Sequence, residues 1–147
     1  MPDINMPIYA AYLGASLLVL QILLMLSVGT YRAKSGTAMG LQDDTVLERR
    51  VRRHGNLAEN AAIFVIVLAL YELIFGQTYL ALAVGVVFFA ARLLHMGGFA
   101  SAAGSHLIGV EDGGRPFVLM RMAGAMLTAL SSLILGVGLI VSLAFFS

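Results

Sequence analysis

An all-α fold of four membrane-crossing helices is what this sequence predicts, and three observations predict it. The 147 residues are 60% hydrophobic and only 12% charged, with a mean hydropathy of +0.93, which is far too apolar for a water-soluble domain of this length. Met6 to Tyr31 holds no ionisable side chain but tyrosine, Leu73 to Ala91 holds none but Tyr79, and Met122 to Ser147 holds none at all. Each run approaches or exceeds the ~20 residues that cross a ~30 Å hydrocarbon core. Finally, all nine Lys and Arg belong to one side of the resulting up-and-down bundle.

Helix 1 is expected at about residues 7–33, with Pro7 near its first turn, where a missing N–H costs nothing. No basic segment precedes this run and no small-residue cleavage pattern follows it, so it reads as a retained helix and not as a cleaved signal peptide. Helix 2 is expected at 46–74, opened by Thr45-Val46-Leu47-Glu48 as a capping box and ended by Gly76. Helix 3 follows after a tight turn at 78–101. Helix 4 is placed at 116–146, with Pro116 at its start. Residues 35–44 and 102–115 are the polar loops, the second rich in glycine. With no internal repeat, residues 1–147 read as a single integral membrane domain.

Net charge is only +1, and its distribution carries more information than its sum. Arg32, Lys34, Arg49, Arg50, Arg52, Arg53, Arg92, Arg115 and Arg121 all fall on the side of the two polar loops. The positive-inside rule then turns both loops to the cytoplasm and both termini outward. Cysteine is absent, so any thiol chemistry must be brought by a substrate. The histidines His54, His95 and His106 show no H-x-x-x-H pair, so no metal site is predicted, and no nucleotide-binding glycine loop or nucleic-acid surface is evident.

Topology does not account for every charge. Counting ~20 residues back from the outer end of helix 2 reaches about His54, which leaves Asn56 and Glu59 inside the core. Arg49, Arg52, Asn56 and Glu59 stand at i, i+3, i+7 and i+10 and form one polar stripe. Arg50, Arg53 and His54 point elsewhere, toward headgroups or water. In helix 3, Arg92 lies ~22 Å from the outer end at 1.5 Å per residue, with His95 and Phe99 following on its face. A buried guanidinium needs a partner, and Glu59 is the economical one. In helix 4, Arg121 is followed by Gly124, Thr128, Ser132 and Gly136 at strict i+4 spacing, which reads as a stripe for close helix packing in lipid. Four helices offer little interior to shield these charges, so oligomerisation is expected.

The segment Glu48-Arg49-x-x-Arg52-x-His54-x-Asn56-x-x-Glu59, with Arg92-x-x-His95-x-x-x-Phe99 in helix 3 and Arg121 in helix 4, resembles the MAPEG family, the membrane-associated proteins in eicosanoid and glutathione metabolism. The likeness covers essentially the whole chain and is nearest to the bacterial branch, with microsomal prostaglandin E synthase and microsomal glutathione S-transferase as animal relatives. It implies a homotrimer in a bacterial inner membrane, with glutathione held between neighbouring subunits near the cytoplasmic face. It further implies transferase, peroxidase or isomerase chemistry on a lipophilic electrophile reached through the lipid.

Glutathione carries two carboxylates, one ammonium and one thiol, and the residue types suit it. Guanidinium forks bind carboxylates bidentately, which suits Arg52 and Arg32. Glu59 can take the ammonium, while Asn56 and His95 can hydrogen-bond the peptide, and the resemblance adds Arg49, His54 and Arg92 to the glutathione-binding set. A thiol of pKa ≈ 8.5 is mostly protonated at pH 7, and a cation beside sulfur favours the thiolate. By resemblance that cation is Arg121, with Arg115 and His106 as alternatives. Phe99 stands where some relatives carry Tyr, so no tyrosine hydroxyl is expected beside the sulfur. A non-catalytic lipid- or glutathione-binding scaffold and a small transporter are the competing readings.

Overall fold

The computed structural model describes residues 5–105 and 114–146. These residues form four helices, α1 (Ile8–Ser35), α2 (Thr45–Phe75), α3 (Tyr79–Gly98) and α4 (Arg115–Phe146), with a 3-10 turn at Ala102–Ser105. Each helix is long and apolar enough to cross a membrane, so the predicted fold class holds and the predicted ends are met to within three residues.

Successive helices run antiparallel. Glu72 near the end of α2 meets Tyr9 and Ala10 at the start of α1, whereas Arg50 near the start of α2 meets Ser27 late in α1. Phe64 of α2 stacks on Phe88 of α3 with ring centroids 3.8 Å apart. Around this pair lie Leu13 and Leu17 of α1, Leu57 and Leu68 of α2, Val84 of α3 and Leu135 of α4. The α1–α2 and α3–α4 connections therefore share one end of the bundle and the short α2–α3 turn occupies the other. At 1.5 Å per residue the 31 residues of α2 extend about 46 Å, well beyond a ~30 Å core. Its arginine-rich first turns thus project at the level of the polar loops.

Helix termini carry backbone donors and acceptors that hydrocarbon cannot satisfy, and this chain meets that demand with side chains. Asp44, not Thr45, caps α2: its Oδ1 accepts from the backbone N–H of Val46 at 2.9 Å and of Leu47 at 3.0 Å, while Tyr31 donates its hydroxyl to Oδ2 at 2.9 Å. The predicted capping box gives way to a one-sided aspartate cap, because with Asp44 as the N-cap the third helical residue is Leu47, which cannot reciprocate. At the other end Thr78 caps α3 by accepting from Ala81 N–H at 3.1 Å. Gly76 turns the chain there with φ 78°, a conformation that glycine reaches without steric cost.

Glu72 was not expected to matter. It is fully buried, and its two oxygens accept from Tyr9 N–H at 3.0 Å and Ala10 N–H at 2.7 Å. A carboxylate on α2 therefore satisfies the exposed donors of α1 and faces the positive end of that helix's dipole.

Two further expectations are corrected. The i+4 stripe of α4 does not stay on one face. Gly124 and Thr128 are buried, but the contact then passes to Ser131 and Leu135 while Ser132 is exposed and Gly136 has nothing near its Cβ position. Each i+4 step advances 400°, so a strict run drifts ~40° per step, whereas alternating i+4 and i+3 steps hold the line. Arg50 does not reach for water either. It donates to Ser27 O at 3.0 Å and Ser27 Oγ at 2.7 Å and lies 4.8 Å over the Tyr31 ring, where α1 offers acceptors and a π face. Arg53 and His54 are likewise half-buried.

Only 11% of the apolar window of α1 and 39% of that of α3 is buried within the chain; lipid or other subunits must cover the rest.

Replacing Glu72 by Ala leaves one buried and one half-buried N–H donor without acceptors, and at about 1–3 kcal/mol for a buried unsatisfied group it is expected to lower the thermal midpoint in detergent clearly, with Glu72→Gln intermediate. Backbone donation from Leu47 holds the Asp44 carboxyl below its ordinary value of 3.8. Its stabilisation is therefore complete above that value and is lost as pH falls through the lower folded value. Asp44→Asn should flatten the acid limb of a stability-against-pH curve and leave the neutral region with a smaller change.

Candidate functional site

At the end of the bundle that carries the polar loops, α2, α3 and α4 converge on a cleft of about 290 Å³ lined by Glu48, Arg49, Arg52, Asn56, Phe99, Ser105 and Arg121. A second recess of about 330 Å³ adjoins it, bordered by Leu41, Val51, Gly55 and Glu59 and sharing Glu48, Arg52 and Asn56 with the first. The polar stripe predicted on α2 is thus the wall between two connected spaces.

Three guanidinium groups against one carboxylate give the main cleft a formal charge of +2, and Glu59 adds an acid at its far side. Arg52 pairs with Glu48 at 3.6 Å, but both side chains are largely exposed, at 64% and 44%. An ion pair so open to solvent contributes at most about 1 kcal/mol, so an incoming carboxylate can displace Glu48 at little cost. Arg121 is better fixed. Its guanidinium sits 5.5 Å over the ring of Phe99, an orientation stabilised by the ring quadrupole.

Close backbone contacts put Arg121 there. A Cβ on Gly98 would lie 2.6 Å from Arg121 Cβ and 2.7 Å from its backbone nitrogen, so the last turn of α3 touches the first turns of α4 directly. A Cβ on Gly104 would come 1.7 Å from Gly98 O, which seats the 3-10 turn, and with it Ser105, beside the same junction. The sequence shows these glycines, but only the packing reveals that they set the position of Arg121.

Arg92 and His95 stand one layer behind the cleft. Arg92 is 2% exposed and donates to Asn56 O at 3.4 Å, to Gly124 O at 3.4 Å and to the Thr128 hydroxyl. The expected Glu59–Arg92 bridge does not form. Glu59 lies on an exposed face of α2, while Arg92 finds carbonyl and hydroxyl acceptors inside the bundle. His95 is 7% exposed and meets Phe99 edge-on at 5.3 Å, so it supports the ring that faces Arg121.

Two predicted site residues stand apart. Arg32 donates from Nη1 to the carbonyls of Thr37, Ala38 and Gly40 at 3.0–3.3 Å and so braces the α1–α2 loop. The backbone oxygen of His54 accepts from Gln21 Nε2 at 3.5 Å; its ring does not line the cleft. Arg115 is exposed at the first turn of α4, and His106 lies outside the described residues.

Comparison with known proteins settles the lineage. Residues 10–143 match the model of the MAPEG family. The chain belongs to the MAPEG family. That assignment covers all four helices and makes the protein an integral membrane protein of a group that includes glutathione-dependent transferases and synthases. A comparison with curated proteins yields no match.

Gly98→Ala forces α3 and α4 apart where they touch. Overpacking of this kind costs about 1–3 kcal/mol, so the variant should unfold at lower temperature and lose more than Gly136→Ala, whose added methyl meets open space. Equal thermal midpoints for the two would contradict the close approach.

Proposed function

We propose that this MAPEG protein is a glutathione transferase or peroxidase, which ionises the thiol of bound glutathione for attack on lipophilic electrophiles. One observation carries the proposal: Arg49, Arg52 and Asn56 of α2 share a single cleft with Arg121 of α4. Arg49 and Arg52 suit the two carboxylates, Glu59 across the shared wall suits the ammonium, and Asn56 suits a peptide amide. Arg121 is assigned to the sulfur. By the charge distribution of the loops the cleft faces the cytoplasm, with both termini outside.

The cleft falls at the lower end of the ~300–1,000 Å³ usual for small-ligand sites, and much apolar surface is uncovered. Both features favour a homotrimer in which a neighbour completes the pocket. Arg32 is then the cation offered across the boundary, and the lipophilic substrate enters from the bilayer. A non-catalytic glutathione- or lipid-binding role is the second reading. The ring of Phe99 beneath Arg121 favours it, because it brings no hydroxyl to the guanidinium.

At pH 7 a thiol of pKa 8.5 is about 3% ionised, so full ionisation gains roughly 30-fold in nucleophile. A cation lowers the pKa of the bound thiol, and the rate then rises with pH at lower values than for free glutathione. The protein in nanodiscs should bind glutathione, show thiolate absorbance at neutral pH and conjugate 1-chloro-2,4-dinitrobenzene. Arg121→Ala should cut turnover at pH 7 by up to about 30-fold, shift the rate profile to higher pH and change glutathione affinity far less. Binding without thiolate absorbance in the unaltered protein would select the second reading.

A further inference from the structure

We propose that Arg92 is a positioning residue, a strut that sets the width of the cleft and makes no contact with the bound thiol peptide. The inference rests on the glutathione reading for its kinetic test, but the geometry that motivates it is independent of any ligand. Arg92 reaches three helices from one side chain. It leaves α3, donates to the backbone oxygen of Asn56 on α2, and donates to the Gly124 carbonyl and Thr128 hydroxyl on α4.

Two of these three partners lie at or next to a group that lines the cleft. Asn56 itself forms the wall through its side chain while its carbonyl accepts from Arg92. Gly124 is three residues beyond Arg121, less than one helical turn. Fixing the Asn56 carbonyl relative to the Gly124 carbonyl therefore fixes the distance between the amide wall on α2 and the guanidinium on α4.

The surroundings reinforce this role. At 2% exposure Arg92 is absent from both recesses, and its guanidinium sits 5.8 Å over the Phe88 ring at the bundle core. The carbonyls of Gly124 and Asn56 are otherwise served locally, by the Thr128 hydroxyl at 2.7 Å and by the Asn60 amide at 2.8 Å. Arg92 thus adds the link between helices. A Cβ on Gly124 would come within 2.5 Å of His95 N, so α4 approaches closely enough for the guanidinium to span the gap.

A ligand-binding arginine and a strut respond differently to truncated substrates. Removal of a direct ligand harms only thiols that carry the carboxylate it binds. A lost strut harms every thiol by the same factor. The full chain in nanodiscs, unaltered and as Arg92→Met, Arg92→Lys and Thr128→Val, is to be assayed with glutathione, γ-glutamylcysteine and cysteinylglycine. Arg92→Met should lower kcat/KM for all three by a common factor, on the order of 10²-fold, as expected when catalytic groups move by about 1 Å. Arg92→Lys should recover part of it, and Thr128→Val should show a smaller fall that is equally uniform. A loss confined to thiols bearing one of the carboxylates would overturn the proposal.

The absence of cysteine permits a second readout that needs no ligand. Spin labels placed by Val46→Cys on α2 and Leu119→Cys on α4, in labelled protein diluted with unlabelled chain, report the separation of the two walls. Arg92→Met should broaden or shift that distance, and Thr128→Val should do so to a lesser degree if Arg92→Met does not fold. An unchanged distribution in the folded variant would overturn the strut. If the unaltered protein does not bind glutathione, the proposed function fails, and the label distances alone decide the role of Arg92.

Discussion

A guanidinium sunk among apolar helices has five N–H donors and no water to receive them, and that constraint organises the polar-loop half of this molecule. Arg92 meets most of it through Nη1 and Nη2, with acceptors on two other helices, while its Nε stays without a partner among the described residues. The three helices are consequently tied at the depth where the polar cleft begins. The same rule governs the other half with the sign reversed: Glu72 is a buried acceptor satisfied by the free donors of α1. Arg92 and Glu72 both bond to backbone or hydroxyl groups of other helices, so they act as fasteners in a medium where hydrophobicity gives no drive for helices to associate.

Fold class and helix limits were legible in the sequence because hydropathy and length depend on local composition alone. The polar stripe Arg49, Arg52, Asn56 and Glu59 was also legible, since helical periodicity fixes which residues share a face. Pairing was harder to read. Glu59 and Arg92 have opposite charge and similar depth, yet α2 presents Glu59 outward, and the relative rotation of two helices is set by packing that no single segment encodes. Glu72 escaped notice for a related reason: its partners are backbone N–H groups some sixty residues away, and these leave no mark in the residue types.

The glycines show the same division. Gly124 could be recognised from its place in a small-residue stripe, but Gly98 drew no notice near the end of helix 3 and Gly104 was one of several glycines in a polar loop. Their function is steric. They admit Arg121 to the junction of α3, the 3-10 turn and α4. On α4 the strict four-residue spacing pointed to Ser132 and Gly136, whereas the helix buries Ser131 and Leu135. The rotation that accumulates over three turns accounts for the difference.

The α2–α3 link is unusually short. Only Gly76, Gln77 and Thr78 separate the two helices, with a backbone bond from Gly76 N–H to Glu72 O at 2.8 Å and a further one from Thr78 N–H to Gly76 O at 3.1 Å. The pair is therefore hinged like tweezers, pinned at the end away from the polar loops, while at the polar-loop end its separation is held by the Arg92 donation to Asn56 O. Over a lever of about 30 Å, the length of the 20-residue α3 at 1.5 Å per residue, a swing of roughly 2° displaces the far tips by about 1 Å. A change in the angle between the two helices would thereby be magnified at the mouth of the cleft, where Arg92 opposes it, and slight at the turn.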